Sequence, residues 1–207
     1  MDYDLERAEM LEFIPASTRR LLEVGCETGR FGAALRAAYP AMEIWGIDPT
    51  PSPPNRPQAY QTRIVGSFPA DIADGEKFDC VVFNDVLEHL IDPWDALRRT
   101  HSFLRPDAVV VVSIPNVRHI SVLRPLLIGG RWDYRDCGIL DRTHLRFFTR
   151  ATAIELLRST GYAVERVQRL QWAGSERGRV AVANRILRGR LDDFLAQQYA
   201  IVGRRNV

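Results

Sequence analysis

The sequence predicts an α/β fold: a doubly wound sheet of about seven mostly parallel strands with helices on both faces. Three observations predict it. Strand-like apolar runs alternate with helical patterns through the first two thirds of the chain, as parallel βαβ units require. Two of the runs, "FDCVVFND" (78–85) and "AVVVVSIPN" (108–116), are almost continuously apolar, the mark of strands covered on both faces. The first run passes directly into a glycine-bearing loop and a helix, which is where open parallel sheets place their ligands.

"RRLLEVG" (19–25) is the first strand and "GRFGAALRAAYP" (29–40) the helix after it, ended by Pro40. "MEIWGID" (42–48) is the second strand. "PTPSPPNRPQ" (49–58) is loop, because its prolines sustain neither a helix nor a central strand. "TRIVGSF" (62–68) is the third strand and "FDCVVFND" the fourth. "DPWDALRRTHSFL" (92–104) is a helix with Asp92 as N-cap and Pro93 at its first position. "AVVVVSIPN" is the fifth strand. "RATAIELLRSTGY" (150–162) is a helix stopped by Gly161, "AVERVQRL" (163–170) a sixth strand, and "AQQYAIVGRR" (196–205) a last one. Residues 116–148 break the alternation. They read as a lid-like insertion after strand five, a short helix ("RHISVLRPLLIGG") followed by a loop dense in aromatics and charges. A single domain over 1–207 is expected, with an N-terminal cap helix in 1–18 and an arginine-rich helical segment in 174–195.

The 207 residues are enough for a sizeable core, and 46% hydrophobic with 26% charged residues is ordinary for a globular protein. A net charge of +2 gives no large phosphate footprint, so nucleic acid is not expected as a partner. Three widely spaced cysteines form no C-x-x-C pair; a structural zinc site is not expected, and a reduced, cytoplasmic setting is. The start "MDYDLERAEM" is acidic and amphipathic, unlike a signal peptide, and the longest apolar run is too short to span a bilayer, so no membrane insertion is expected.

In "LLEVGCETGRFG" the glycines Gly25, Gly29 and Gly32 are spaced G-x-x-x-G-x-x-G. That is neither the G-x-G-x-x-G of dinucleotide folds nor the G-K-[ST] of a phosphate loop. Asp48, at the end of strand two, lies 19 residues beyond Gly29, close to the offset of a ribose-binding carboxylate. Backbone N–H groups at the helix start and a carboxylate on the next strand together suit a nucleoside-bearing ligand.

These residues resemble the class I S-adenosylmethionine-dependent methyltransferases, a Rossmann-like family. The carriers are "LLEVGCETGRFG", the acidic end of "IWGIDP", and "FDCVVFNDVLEHLIDPWDALRRTHSFLRPDAVVVVSIPN". The run "RWDYRDCGILDRTHLRFFT" resembles a small-molecule subgroup often found with glycosyltransferases and polysaccharide pathways. The resemblance implies S-adenosyl-L-methionine as cofactor. Glu23, Gly25, Cys26 and Gly29 would hold its amino-acid end and Asp48 its ribose, while Ser67 and Phe68 would flank the adenine. Asn84 and Asp85 would face the sulfonium side, and Arg7 would pair with the cofactor carboxylate. Two positions depart from the family pattern. Glu27 stands where many relatives carry glycine, a strained choice if the backbone there needs a positive φ, and Ser67 replaces the usual acid of strand three.

Transfer to a hydroxyl calls for a general base, and histidine suits the task. His144 in "DRTHLRFF" and His89 in "LEHL" are the candidates, with Asp141 as the carboxylate that orients His144. His101, mid-helix, reads as a packing or surface residue, and His119, at a helix start after strand five, is not counted among the candidates. Trp132, Tyr134 and Arg142 are expected around the acceptor, with Phe147 and Phe148 either there or in the core. No metal is expected, because helical spacing does not converge Asp85, Glu88 and Asp92. The acceptor implied is a small molecule, a hydroxyl of a sugar or glycolipid-pathway intermediate. An RNA or DNA methyltransferase and a non-catalytic cofactor-binding subunit remain open alternatives; the glycine spacing disfavours a nicotinamide dehydrogenase.

Overall fold

The computed structural model describes residues 7–51, 58–170 and 191–206. Seven strands form one sheet: β1 (Arg20–Val24), β2 (Glu43–Asp48), β3 (Thr62–Val65), β4 (Phe78–Asn84), β5 (Leu104–Pro115), β6 (Tyr162–Leu170) and β7 (Gln198–Arg205). Their order is β3-β2-β1-β4-β5-β7-β6. The first five pair with one another in parallel, and β7 runs antiparallel between β5 and β6. The order reverses between β1 and β4, so the loops after these two strands open at the topological switch point. The expected mostly parallel, doubly wound sheet is present.

The two-residue period of the central strands divides the core between the faces. Val81 and Phe83 of β4 and Val110 and Val112 of β5 join one apolar cluster, which includes Leu97, Leu156 and Leu157. Cys80 and Val82, with Val109 and Val111, join the other, which includes Phe31, Leu35, Met10 and Phe13. From Ala108 to Pro115 every residue of β5 is buried, which is why that stretch carries no alternation in the sequence.

The helices are α1 (Arg30–Ala38), α2 (Pro93–Thr100), α3 (Ile120–Gly129), α4 (Arg150–Ser159) and the single turn α5 (Asp192–Leu195). Asp92 caps α2 by accepting from the Asp95 N–H at 2.8 Å, with Pro93 in the first turn. Gly161 follows α4 at φ 91° and turns the chain into β6. Some expectations shift. The N-terminal segment is a 3-10 turn, Ala8–Phe13, rather than an α-helix; Arg7 before it is left-handed and Ile14 after it extended. The helix expected over 92–104 ends at Thr100 and tightens into a 3-10 turn, His101–Phe103. Of the arginine-rich segment 174–195, residues up to 190 lie outside the described residues, and so does most of the proline loop.

The segment between β5 and α4 begins with α3 and continues as irregular chain tied down at several points. Val117 N–H donates to the Phe148 carbonyl (2.9 Å), and the Glu88 carbonyl accepts from both Leu145 N–H (2.8 Å) and Arg146 N–H (3.0 Å). The insertion is thereby folded over the carboxyl ends of β4 and β5.

Candidate active site

At the switch point lies a cleft of about 1170 Å³. The glycine loop and Asp48 form one wall. Asn84 and Asp85 are on its floor, and the 3-10 turn Leu87–His89 with the lid residues 135–144 forms the other wall.

The glycine wall is shaped by backbone. Gly25 has φ 75°, and a Cβ on it would stand 2.5 Å from Val86 Cγ2, so this loop approaches the floor more closely than any side chain permits. Gly29 caps α1 at φ 85°. Position 27 is left-handed as well, at φ 33°, and this chain holds a glutamate there. Asp48 keeps that turn in place: Oδ2 accepts from Glu27 N–H (2.9 Å) and Oδ1 from Thr50 N–H (2.7 Å). Burial and the Asp48 charge raise the Glu27 carboxyl pKa.

Glu23 is buried beneath the loop and accepts from the Tyr60 hydroxyl at 2.8 Å. Burial pushes its carboxyl up to about 8, opposed by the Tyr60 bond. The Cys26 thiol is pushed up to about 12 by burial, so it is a packed, unreactive group. Ser67 and Phe68 line the cleft beyond β3. Asp71 takes the Ser67 N–H (2.7 Å), and Phe68 packs edge-on against Phe83 and tilted against Phe103.

The floor carries a buried network. Asp85, left-handed at φ 53°, accepts at Oδ1 from Ser113 Oγ (2.9 Å) and Gln198 Nε2 (2.8 Å), and at Oδ2 pairs with Arg7. Arg7 also donates to Gln198 Oε1 (2.7 Å) and Glu9 (3.3 Å). Arg7 therefore lines the cleft with its guanidinium already directed at protein acceptors. Asn84 beside it is the opposite case: its buried amide oxygen and nitrogen both lack a partner among the described residues. An orphaned amide in a cleft wall fits a polar ligand there, since leaving it unmet costs about 1–3 kcal/mol.

On the lid side, His89 Nδ1 lies 3.3 Å from the Thr143 carbonyl and 3.1 Å from its hydroxyl. That hydroxyl donates to Asp141 Oδ1 at 2.6 Å. His144 Nδ1 lies 3.1 Å from the Ile139 carbonyl. The two rings meet edge to face at 4.7 Å. Burial holds both imidazoles below their ordinary pKa, and for His89 the His144 charge adds to it. Glu88 is 1% exposed; both its carboxylate oxygens lack partners among the described residues, and burial pushes its pKa up to about 8.

Several expectations need correction. Asp141 does not bond to His144. Its Oδ1 closes a tight turn by accepting Thr143 N–H (2.7 Å) and hydroxyl, and so orients His89 through Thr143 instead. Trp132 and Tyr134 pack on Phe147 away from the cleft lining, and Phe148 is core. Arg142 does line the cleft, with its guanidinium 2.6 Å from Asp136. His101 donates from Nε2 to the Thr160 carbonyl (2.7 Å) and is a packing residue stacked on Tyr162, and His119 caps α3. Glu88, Thr143, Tyr60, Ser113 and Gln198 carry much of the site but were not singled out as site residues. Glu88, inside "LEHL", and Thr143, inside "DRTHLRFF", sat in segments the sequence marked as candidate site; Ser113 and Gln198 sat in segments read only as strands.

Fold and site define a class: an open α/β sheet with a glycine-loop cleft at its topological switch point. A methyltransferase domain family model matches residues 3–167, and the chain belongs to that family, which uses S-adenosylmethionine as cofactor. The ubiquinone biosynthesis O-methyltransferase of Ruegeria pomeroyi is 30% identical over 157 residues, covering 71% of this chain and 61% of that protein. The trans-aconitate 2-methyltransferase of Methylobacterium radiotolerans is 30% identical over 132 residues, covering 60% and 50%. The chain thus spans about three fifths of the length of the curated relatives it matches first. Among solved structures, an Archaeoglobus fulgidus S-adenosylmethionine-dependent methyltransferase superposes with TM-score 0.65 at 18% identity, covering 96% of this chain and 92% of that one. The Burkholderia thailandensis 1,6-didemethyltoxoflavin-N1-methyltransferase, solved with its substrate and S-adenosylhomocysteine, gives 0.64 at 18%, covering 100% and 80%. Among the described residues no helix is long and apolar enough to cross a membrane.

Proposed function

We propose that this domain transfers a methyl group from S-adenosylmethionine to a hydroxyl of a small-molecule acceptor. The observation that carries the reading is the shape of one cleft. A glycine loop and Asp48 stand at one end, the unpartnered Asn84 amide is on the floor, and His89, His144 and Glu88 stand at the other end. Gly25 and Gly29 bring backbone close to the amino-acid end of the cofactor, with Glu23 beneath and Cys26 beside them. All of these line the cleft or its loop: Asp48 would hold the ribose, Ser67 and Phe68 would flank the adenine, Asn84 and Asp85 would face the sulfonium side, and Arg7 would serve the carboxylate. When bound, the cofactor supplies a methyl group on a sulfonium centre for in-line displacement.

The protein's part is to place the acceptor oxygen opposite that methyl and to deal with its proton. His89 and His144 meet the hydroxyl as neutral rings, each fixed at Nδ1, so the proton-accepting lone pair is on Nε2. Asp141 is a positioning residue acting through Thr143. Arg142 at the rim is available to an acceptor's polar end. Trp132 and Tyr134 reach the acceptor only if it extends past the lid.

Relatives named for ubiquinone precursors and trans-aconitate support a small acceptor with oxygen functions. The sugar or glycolipid-pathway acceptor rests on the sequence resemblance alone and is one arm of the test. Calorimetric titration with S-adenosylhomocysteine should show micromolar binding, with none for NAD. Asp48→Ala should weaken it by about 1–3 kcal/mol, the cost of lost charge-assisted bonds and a loosened loop. Methyl transfer would then be screened on sugar, phenolic and hydroxy-acid acceptors. Binding of NAD in place of S-adenosylhomocysteine would overturn the reading.

A further inference from the structure

We propose that Glu88, His89 and His144 form a binding site for one divalent transition-metal ion at the acceptor end of the cleft. One donor atom from each lies within 4.8 Å of those of the other two. All three residues line the cleft, beside Asn84 and opposite the glycine loop.

The first argument is the state of Glu88. Its carboxylate is 1% exposed, and neither oxygen has a partner among the described residues. A buried carboxyl left without donors is costly, and a cation is one of the few groups that satisfy both oxygens at once. Arg7 acts on Glu88 electrostatically, but its guanidinium is directed at Asp85, Gln198 and Glu9.

The second argument is the state of the rings. A carbonyl only accepts, so His144 must donate from Nδ1 to Ile139, and His89 from Nδ1 to Thr143. The Thr143 hydroxyl donates its own hydrogen to Asp141, so it also accepts from His89. Both rings are therefore held in the tautomer whose Nε2 carries the free lone pair. Metal-ligating histidines show this arrangement, an outer N–H given to a carbonyl or carboxylate-linked group that fixes the ring and raises its basicity.

The third argument is rigidity. Glu88 and His89 sit on the turn after β4 and His144 on the lid. The Glu88 carbonyl joins them by accepting Leu145 and Arg146 N–H groups. The donor set is therefore built by the fold rather than by a mobile side chain.

Two imidazoles and a carboxylate suit zinc or a neighbouring first-row ion, and three protein ligands leave positions open toward the cleft. For its role this inference rests on the methyl-transfer reading. With an ion bound, the two Nε2 lone pairs would serve as ligands in place of the base role; the ion would bind the acceptor's adjacent oxygens and make its hydroxyl more acidic, so that the proton would leave to solvent. The acceptor class named by this chemistry is a chelating one: a catechol, a vicinal diol or an α-hydroxy acid.

The test uses the whole chain, stripped with EDTA and titrated calorimetrically with Zn2+ alone, then with Co2+ while its visible absorption is followed. One Zn2+ per chain is expected, together with cobalt bands. Glu88→Gln keeps size and hydrogen-bonding shape, and should weaken Zn2+ by about tenfold or more while S-adenosylhomocysteine binding is retained. Cys137→Ser, which removes a thiol at the cleft rim, should leave Zn2+ affinity unchanged. Equal Zn2+ binding by Glu88→Gln and the native chain, or loss of it in Cys137→Ser alone, overturns the site. No Zn2+ binding by the native chain does the same. Zn2+ binding without S-adenosylhomocysteine binding would leave the metal site standing and overturn the methyltransferase reading instead.

Discussion

The two walls of the cleft are built by different means. On the glycine-loop side the residues are near one another in the chain, and the hydrogen bond that fixes the loop, Glu27 N–H to Asp48, spans 21 residues. On the lid side His89 meets Thr143 across 54 residues, and on the floor Gln198 meets Asp85 across 113 and Arg7 meets Gln198 across 191. The first wall is made mostly of backbone, glycine φ values and N–H groups on one acid. The second is made of side chains that come together only when lid, floor and last strand have all packed. Changes on the first wall should therefore act on cofactor binding and local strain, and changes on the second on turnover.

The largest effect expected is at Gly25. Alanine there meets Val86 Cγ2 at 2.5 Å and keeps a φ of 75°. Overpacking and left-handed strain together should cost about 2–4 kcal/mol. S-adenosylhomocysteine binding should be lost, and a thermal melt should show the destabilisation. Adding Val86→Ala removes the clashing methyl and should recover part of the loss, leaving only the backbone share. A double variant no better than the single one would mean the close approach to the floor is not what the glycine is for.

A smaller effect is expected across the cleft at Thr143. Valine keeps the shape but removes the hydroxyl that links Asp141 to His89; the backbone N–H to Asp141 stays. Stability should fall by about 0.5–1.5 kcal/mol, the net worth of such a bond. S-adenosylhomocysteine affinity should stay within about twofold, because no cofactor-wall contact changes, while turnover falls. Loss of cofactor affinity in Thr143→Val, measured calorimetrically, would show that the walls are not separable.

The same contrast sets what could be read from the sequence. Gly25, Gly29 and Asp48 announce themselves because their task is local: a positive φ, a helix start, a carboxylate at a strand end. Asp92 and Gly161 were legible for the same reason. The alternation of apolar runs and helices marked the parallel βαβ units but not the strand order, and nothing in β7 marks it as the antiparallel strand slotted between β5 and β6. The lid was legible only as an interruption. Asp141 lies three residues from His144, and proximity in the chain suggested a pair. The turn geometry sends that carboxylate to Thr143, so the orienting chain ends on His89. Glu88 looked like one helical acid among several. Its burial and lack of partners depend on the lid folding over it, which no local pattern records.

The smallest effect, and the one that sharpens the comparison most, is at Glu27. It is a non-glycine residue at φ 33° on a wall otherwise governed by backbone, and its carboxyl is partly buried near Asp48. Glu27→Gly should relieve a left-handed strain of order 1 kcal/mol, offset in part by the extra freedom glycine has when unfolded. Glu27→Ala removes the carboxyl but keeps the strain. Burial and Asp48 raise the Glu27 pKa, so the folded chain holds that proton to a higher pH than the unfolded one. The glutamate's cost is therefore absent at acid pH and grows as pH rises from the ordinary carboxyl range through the raised folded value. Melting temperatures measured across that range separate the two causes. If strain dominates, glycine is more stable than alanine by the same margin at every pH. If charge dominates, alanine and glycine both gain on the native chain only as the pH rises. A glycine variant less stable than alanine throughout would show that the left-handed turn is held by Asp48 alone and that residue 27 contributes nothing to the wall.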